Sequence, residues 1–237
     1  TVITKICLLL HHIIHMRRYL LAILILLSSS AAVTAGGKDP YDLGHASRFR
    51  LGLNFQFTSF RTWQIDFGCH YMVTPWLGLG ASLGGWRQYG QWNSPEGPNW
   101  WVLKSDRHVS NVFLRPSLLL TTPTLWRIGK TEWGLMANPG VMLNVPNQRV
   151  TIEKSNDWDY EDQEHISSSR GKWCALDCRL GLYLRAGKVY IMAGYILSNL
   201  EIYSYYRNME YDGVKFSDYY PRRKGLQGGF VTISYNL

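Results

Sequence analysis

The chain has 237 residues, 14% of them aromatic, with 22 glycines and a formal charge of +8. That length suits one domain, and beyond residue 35 no apolar run is long enough to cross a bilayer as a helix, which excludes a helical membrane protein. The bases are scattered rather than gathered into a stripe, so the charge gives no reason to expect nucleic acid.

Residues 1–35 contain no acid. Arg17 and Arg18 precede the apolar stretch 20–27, and Val33-Thr34-Ala35 offers small residues for cleavage. This is the order of a secretory signal, with Met16 as its natural start. Residues 1–15 then lie upstream of it, so His11, His12 and His15 are not read as metal ligands. Residues 36–47 are expected to be a short periplasmic segment and 48–237 the folded domain. Removing Lys5, Arg17 and Arg18 from the 25 bases leaves 22 against 17 acids, a mild excess.

Eight segments of that domain alternate with period two, which places successive side chains on opposite faces of a strand. In 48–58, Phe49, Leu51, Leu53, Phe55 and Phe57 alternate with Arg50, Gly52, Asn54 and Gln56. In 62–73, Trp63, Ile65, Phe67, Cys69, Tyr71 and Val73 alternate with Gln64, Asp66, Gly68 and His70, and Thr74-Pro75 makes a tight turn. The third segment, 76–88, sets Leu77, Leu79, Ala81 and Leu83 against glycines and Ser82. A polar stretch follows. In 108–121, Val112, Leu114, Leu118 and Leu120 oppose Asn111, Arg115 and Ser117. In 131–145, Trp133, Leu135, Ala137, Val141 and Leu143 oppose Glu132, Gly134, Asn138 and Asn144.

A charged stretch over 146–170 leads to 172–186, the cleanest alternation, with Asp177, Arg179, Gly181 and Arg185 on the polar face. Gly187-Lys188 turns the chain into 189–203, apolar on both faces. After a further polar stretch, 226–237 closes with Val231, Ile233, Tyr235 and Leu237 at every second position. Pro116 and Pro139 fall within strands, where each removes a ladder donor, so bulges or shifted strand limits are expected there.

These strands are roughly twice the soluble mean of about five to six residues, which suits a tilted membrane crossing. The long polar joins fall at one end and tight turns mostly at the other, the asymmetry of an outer-membrane barrel with both termini in the periplasm. A soluble lipocalin-like barrel would bury the apolar face instead. Mid-strand charges on the polar face, and Trp63, Tyr71, Trp76, Trp133, Trp173 and Tyr235 flanking the apolar one, favour the inverted arrangement. The expectation is all-β: an eight-stranded antiparallel up-and-down transmembrane barrel, monomeric, with a packed polar lumen.

The segments 74–81, 194–200 and 228–237 resemble the small outer-membrane barrels of the OmpA-like, porin-family type found in Bacteroidetes. The resemblance implies a strand-built membrane domain over about 45–237 and no catalytic residues. It also implies that the barrel-assembly machinery reads Val231, Ile233, Tyr235 and Leu237, where the last position of the family is usually aromatic. The implied surroundings are outer-membrane lipid and lipopolysaccharide.

The inward charges Arg50, Arg115, Arg179 and Arg185 against Asp66, Glu132 and Asp177 are read as a mutually paired lumen network, since a barrel of eight strands is just wide enough for side chains to fill. The alternative is a narrow anion-preferring pore. His70, four residues from Asp66 on the same face, is read as a hydrogen-bonded plug residue rather than half of a catalytic pair. Asp157, Asp159 and Glu161 are a weak candidate for a hard cation, without the glycine and spacing of an EF-hand loop; a solvated acidic loop is preferred, and no cofactor is expected. Cys69, Cys174 and Cys178 are read as small apolar residues. The aromatic and basic segments 203–206 and 219–224 are read as an interfacial belt with a basic rim, or as a surface for glycans or lipopolysaccharide phosphates. The functional expectation is non-enzymatic: membrane structure, surface interaction or limited solute passage. An accessory barrel of a type IX-like secretion system and a lipid A-modifying enzyme are the alternatives.

Overall fold

The computed structural model describes residues 48–89, 93–155 and 161–237. In chain order the strands are β1 (Phe49–Thr58), β2 (Thr62–Thr74), β3 (Leu77–Gln88), β4 (Glu96–Gly97), β5 (Trp100–Val102), β6 (Ser110–Thr121), β7 (Trp126–Ile128), β8 (Thr131–Asn144), β9 (Gln148–Ser155), β10 (Glu161–Ser168), β11 (Cys174–Ala186), β12 (Val189–Glu201), β13 (Glu210–Tyr211), β14 (Val214–Lys215) and β15 (Lys224–Asn236). Among the described residues there is no α-helix. Eight of the strands, β1, β2, β3, β6, β8, β11, β12 and β15, pair antiparallel each with the next, and β15 pairs back onto β1. The sheet is a closed up-and-down barrel, so it has no free edge. Each expected strand lies within two residues of an observed one.

The alternation decides which face is inside. Leu83 is 63% exposed, Leu176 59%, Ile233 57% and Phe67 56%, whereas Arg115 on the other face is 1% exposed. The barrel is therefore oily outside and charged within, the reverse of a soluble barrel. Trp76 and Tyr235 stand on the outward face at the end carrying the tight turns, with Tyr71 edge-on to Phe49 nearby. Trp173 marks the end carrying the long connections. Among the described residues the three cysteines are free, Cys69 on β2 and Cys174 and Cys178 across the barrel on β11.

The tight turns follow from local chemistry. Thr74 Oγ1 accepts from the Leu77 amide at 3.0 Å, closing the β2–β3 turn. Gly187 adopts φ 60, the left-handed conformation that lets Ala186 and Val189 pair across two residues. Between β1 and β2, Phe60 and Arg61 hold φ 63 and 54, unusual for side chains of that size.

The two prolines make no bulge; the neighbouring strands keep register through both. Pro116 pairs with Ala81 on one side and Pro139 with Cys178 on the other. Both turn their missing donors into the same seam, β6 against β8, where Leu114 meets Leu143 and Ser117 meets Gly140. That register sets Leu118 opposite Pro139. The Leu118 carbonyl, deprived of the proline's N–H, accepts from Asn138 Nδ2 at 2.6 Å. A side chain thus satisfies the acceptor that Pro139 leaves open.

The described parts of the long connections are folded. A second sheet, ordered β10, β9, β5, β4, rises beyond the loop end, and β13 and β14 form a hairpin whose Asp212 and Gly213 have φ 48 and 73. Between them and the barrel mouth lies an apolar core that includes Trp86, Trp100, Val102, Ile152, Phe216 and Tyr220, each 4% exposed or less. The aromatic segment expected as an interfacial belt contributes Tyr203, Tyr205, Tyr206 and Tyr220 to the buried interior of this cap instead; the bases Arg222, Arg223 and Lys224 do remain exposed. The physical reason is that a long connection lowers its free energy by burying its own aromatics over the open mouth.

Candidate functional site

The lumen places side chains from six strands in one connected set. On β6, Arg115 Nε donates to both Asp177 carboxylate oxygens on β11, each at 2.9 Å. Its Nη1 and Nη2 donate to Oδ1 and the carbonyl of Asn138 on β8, each at 2.7 Å. Two residues along β11, Arg179 Nη2 donates to Asp66 Oδ2 on β2 at 2.6 Å, and its Nε lies 3.9 Å from Asp177. Asp66 also accepts from Asn54 Nδ2 at 2.8 Å, and Thr232 on β15 donates to Asn54 Oδ1 at 2.8 Å.

Two guanidinium ions and two carboxylates thus balance inside a space they fill. Arg115 lies across Gly140, where a Cβ would come within 2.6 Å of Cζ, so glycine is what lets the guanidinium cross to β11. The remaining central cavity is about 30 Å³, lined by residues including His70, Asp66 and Arg115. That is room for a water or so, not for a hydrated ion or an acyl chain. His70 Nε2 lies 3.0 Å from Ser117 Oγ and 3.5 Å from Asn138 Nδ2. Among the described contacts the ring meets no carboxylate, and Ser117 is itself buried.

The seven charges read from the sequence divide into groups. Asp66, Arg115, Asp177 and Arg179 come together in mid-lumen. Glu132 and Arg185 pair at 3.4 Å at the turn-end rim, where Arg127 also reaches Glu132 at 2.6 Å. Arg50 donates to Asn236 Oδ1 at 2.8 Å and stacks over the Tyr190 ring at 3.7 Å. Alternation gives the face of a residue but not its height, and these three sit at a different level from the central four.

Nor is the lumen polar throughout. Met72, Leu119, Met136, Tyr183, Tyr190 and Met192 pack inward on the turn side of the ionic layer, and the same cluster reaches Ile196, paired with Arg179, and Phe230. This apolar plug corrects the expectation of a uniformly polar interior. Methionines fill an irregular, narrowing space well because they are unbranched and flexible. The inward parity of Met72, Met136 and Met192 was a usable signal, and it explains why β12 is apolar on both faces. The lumen is therefore layered: apolar, ionic, then the apolar cap.

At the cap, burial pushes the Tyr206 and Tyr220 phenols well above the usual phenol range, with Asp106 adding to the effect on Tyr206. On the outside, Glu164 is held below the usual carboxylate range by hydrogen bonds from Lys154 and Tyr211. Of the candidate cation site, Asp157 and Asp159 lie outside the described residues, as does the side chain of Glu161. Among the described residues no group of His, Cys, Asp and Glu could hold a metal ion. Val231, Ile233, Tyr235 and Leu237 all face outward and are 45–57% exposed.

The fold and lumen define a closed antiparallel barrel of inverted polarity. No protein-family model matches the chain and no curated protein matches its sequence. Among solved structures, it is similar to the N-terminal β-barrel domain of Pseudomonas aeruginosa OprF at 10% identity and TM-score 0.36, over 81% of this chain and 100% of that one. It is similar to Neisserial surface protein A at 10% identity and TM-score 0.42, over 81% and 99%. A major outer membrane protein from Thermus thermophilus is similar at 13% identity and TM-score 0.42, over 81% and 100%. At such scores these likenesses add nothing to what the strand pairing itself shows of the architecture.

Proposed function

We propose that this chain spans an outer membrane as a closed, non-conducting barrel of the OmpA-like, porin-family type, and that its task is carried by the folded cap held outside the cell. The observation that carries this is the inversion: large apolar side chains cover the outward face while the charges of β2, β6 and β11 neutralise one another within. In water such an exterior would drive aggregation, and in hydrocarbon it is the stable arrangement. Short turns then lie in the periplasm and the cap outside. The outward row ending at Leu237 is the segment the assembly machinery would read, and the barrel acts as a monomer without cofactor or catalytic residues. The ionic layer and the two apolar layers favour a structural or surface-interaction role over solute passage.

The test is reconstitution into planar bilayers. Purified, refolded protein is expected to insert and to give no opening steps above background. Steady steps of defined conductance would sink the closed-lumen reading, and failure to enter lipid at all would sink the membrane reading.

A further inference from the structure

A cleft of about 710 Å³ lies outside the lumen, at the loop end between the tops of β11 and β12. Its lining includes Trp173 and Cys174 at the start of β11 and Glu201 at the end of β12. One step along β11 from Cys174 the outward face becomes Leu176, and two steps along β12 from Glu201, past the exposed Asn199, it becomes Leu197; these leucines are 59% and 48% exposed. The cleft therefore opens where the apolar band gives way to polar surface. Resting on the membrane reading above, this is the depth of the lipid headgroups.

Three cations converge there, from three separate segments. Lys172 precedes β11, Arg207 lies in the connection after β12, and Arg222 precedes β15. Each charged head makes one described contact, short for Arg207 and long for the other two. Lys172 Nζ donates to the Asn199 carbonyl at 3.4 Å, Arg207 Nη1 to the Tyr220 carbonyl at 2.6 Å, and Arg222 Nε faces Glu201 at 3.5 Å. A guanidinium carries five N–H donors and an ammonium three, so these contacts orient the heads without exhausting them. The one carboxylate present, Glu201, is outnumbered three to one.

We propose that this cleft binds the phosphate of an outer-leaflet lipid, whose acyl chains run down the outward face past Leu176 and Leu197. Arg forks and a Lys point charge match phosphate oxygens, and the apolar strip beneath matches hydrocarbon. A free phosphate would use the cations but not the strip.

The full chain is folded into phosphatidylcholine vesicles containing a bis-phosphorylated lipid A, or the same glycolipid with its phosphates removed. It is then extracted gently and weighed with its bound lipid by native mass spectrometry. Folding is read separately, from the heat-dependent electrophoretic mobility of an intact barrel. Wild type is expected to retain the phosphorylated lipid, and the double variant Lys172→Gln/Arg222→Gln to fold normally while retaining it ~10-fold less. Equal retention by the folded double variant, or of the dephosphorylated glycolipid, overturns the proposal. Displacement by millimolar inorganic phosphate overturns the lipid as the source. Wild type that folds without retaining lipid overturns the cleft and leaves the membrane reading intact; wild type that never enters the vesicles overturns both.

Discussion

Replacing Asp177 by alanine removes one carboxylate from a site where Arg115 is 1% exposed and the Asp177 side chain 0%. Water cannot screen what remains, so no discount for exposure applies. The Arg115 Nε bond to the two oxygens, both at 2.9 Å, is lost, and Arg115 keeps only the two contacts to Asn138. Charge-assisted bonds contribute about 1.5–3 kcal/mol each, and orphaning one member of a buried pair costs about 3–5 kcal/mol. Arg179, another cation close by, adds repulsion once the shared Asp177 is gone. The expected loss is therefore ~4 kcal/mol, read as the shift in the urea midpoint of the folded, heat-modifiable band in vesicles. Removing both partners as Arg115→Met/Asp177→Leu is expected to cost less than Asp177→Ala alone, because no charge is stranded. A single variant weakened by under ~1 kcal/mol would mean that water reaches the pair and would refute the sealed ionic layer.

Asn138→Ala strands both the Leu118 carbonyl beside Pro139 and Arg115 Nη1; a destabilisation of ~2–3 kcal/mol in the same urea assay is expected, with the β6–β8 amides the first to lose protection in hydrogen exchange. The cap is expected to loosen in alkali. Tyr206 and Tyr220 bind their protons more tightly when folded, so stability falls as pH rises past the unfolded phenol value near about 10. Tyrosinate absorbance and near-ultraviolet circular dichroism should then change together while the barrel mobility persists, and titration of all tyrosines as exposed phenols would contradict a packed cap.

Most of the barrel was legible because a membrane strand repeats one rule for its whole length. Phe49 to Phe57 or Val231 to Leu237 needs no knowledge of the rest of the chain, and the signs of Asp66, Arg115, Asp177 and Arg179 announced an inward charged layer. Height within the barrel was not legible. Arg50 has the parity of Asp66, but register and strand tilt bring it to Tyr190 and Asn236 instead. The cap was missed because its strands are short and interrupted: Trp100, Val102, Val150 and Ile152 alternate over too few positions to stand out from polar neighbours. Their partners, such as Tyr203 and Phe216, lie far along the chain, so the core exists only after folding.

Those two features bear on each other. A buried ion pair is favourable only while its surroundings stay dry and its remaining donors are met, since desolvation otherwise outweighs the attraction. In this barrel dryness is supplied from both sides, by Met72, Met136 and Met192 below and by Trp86, Phe113 and Met142 above. Asn54 and Gln64 donate to Asp66 and Asn138 accepts from Arg115, while Arg179 Nε, 3.9 Å from Asp177, makes no hydrogen bond among the described residues. The glycines complete the arrangement, because a side chain at Gly140 would occupy the path of Arg115 between β6 and β11. A conducting pore would need a continuous path of water through this layer, and the side chains that make the charges tolerable leave only about 30 Å³ there.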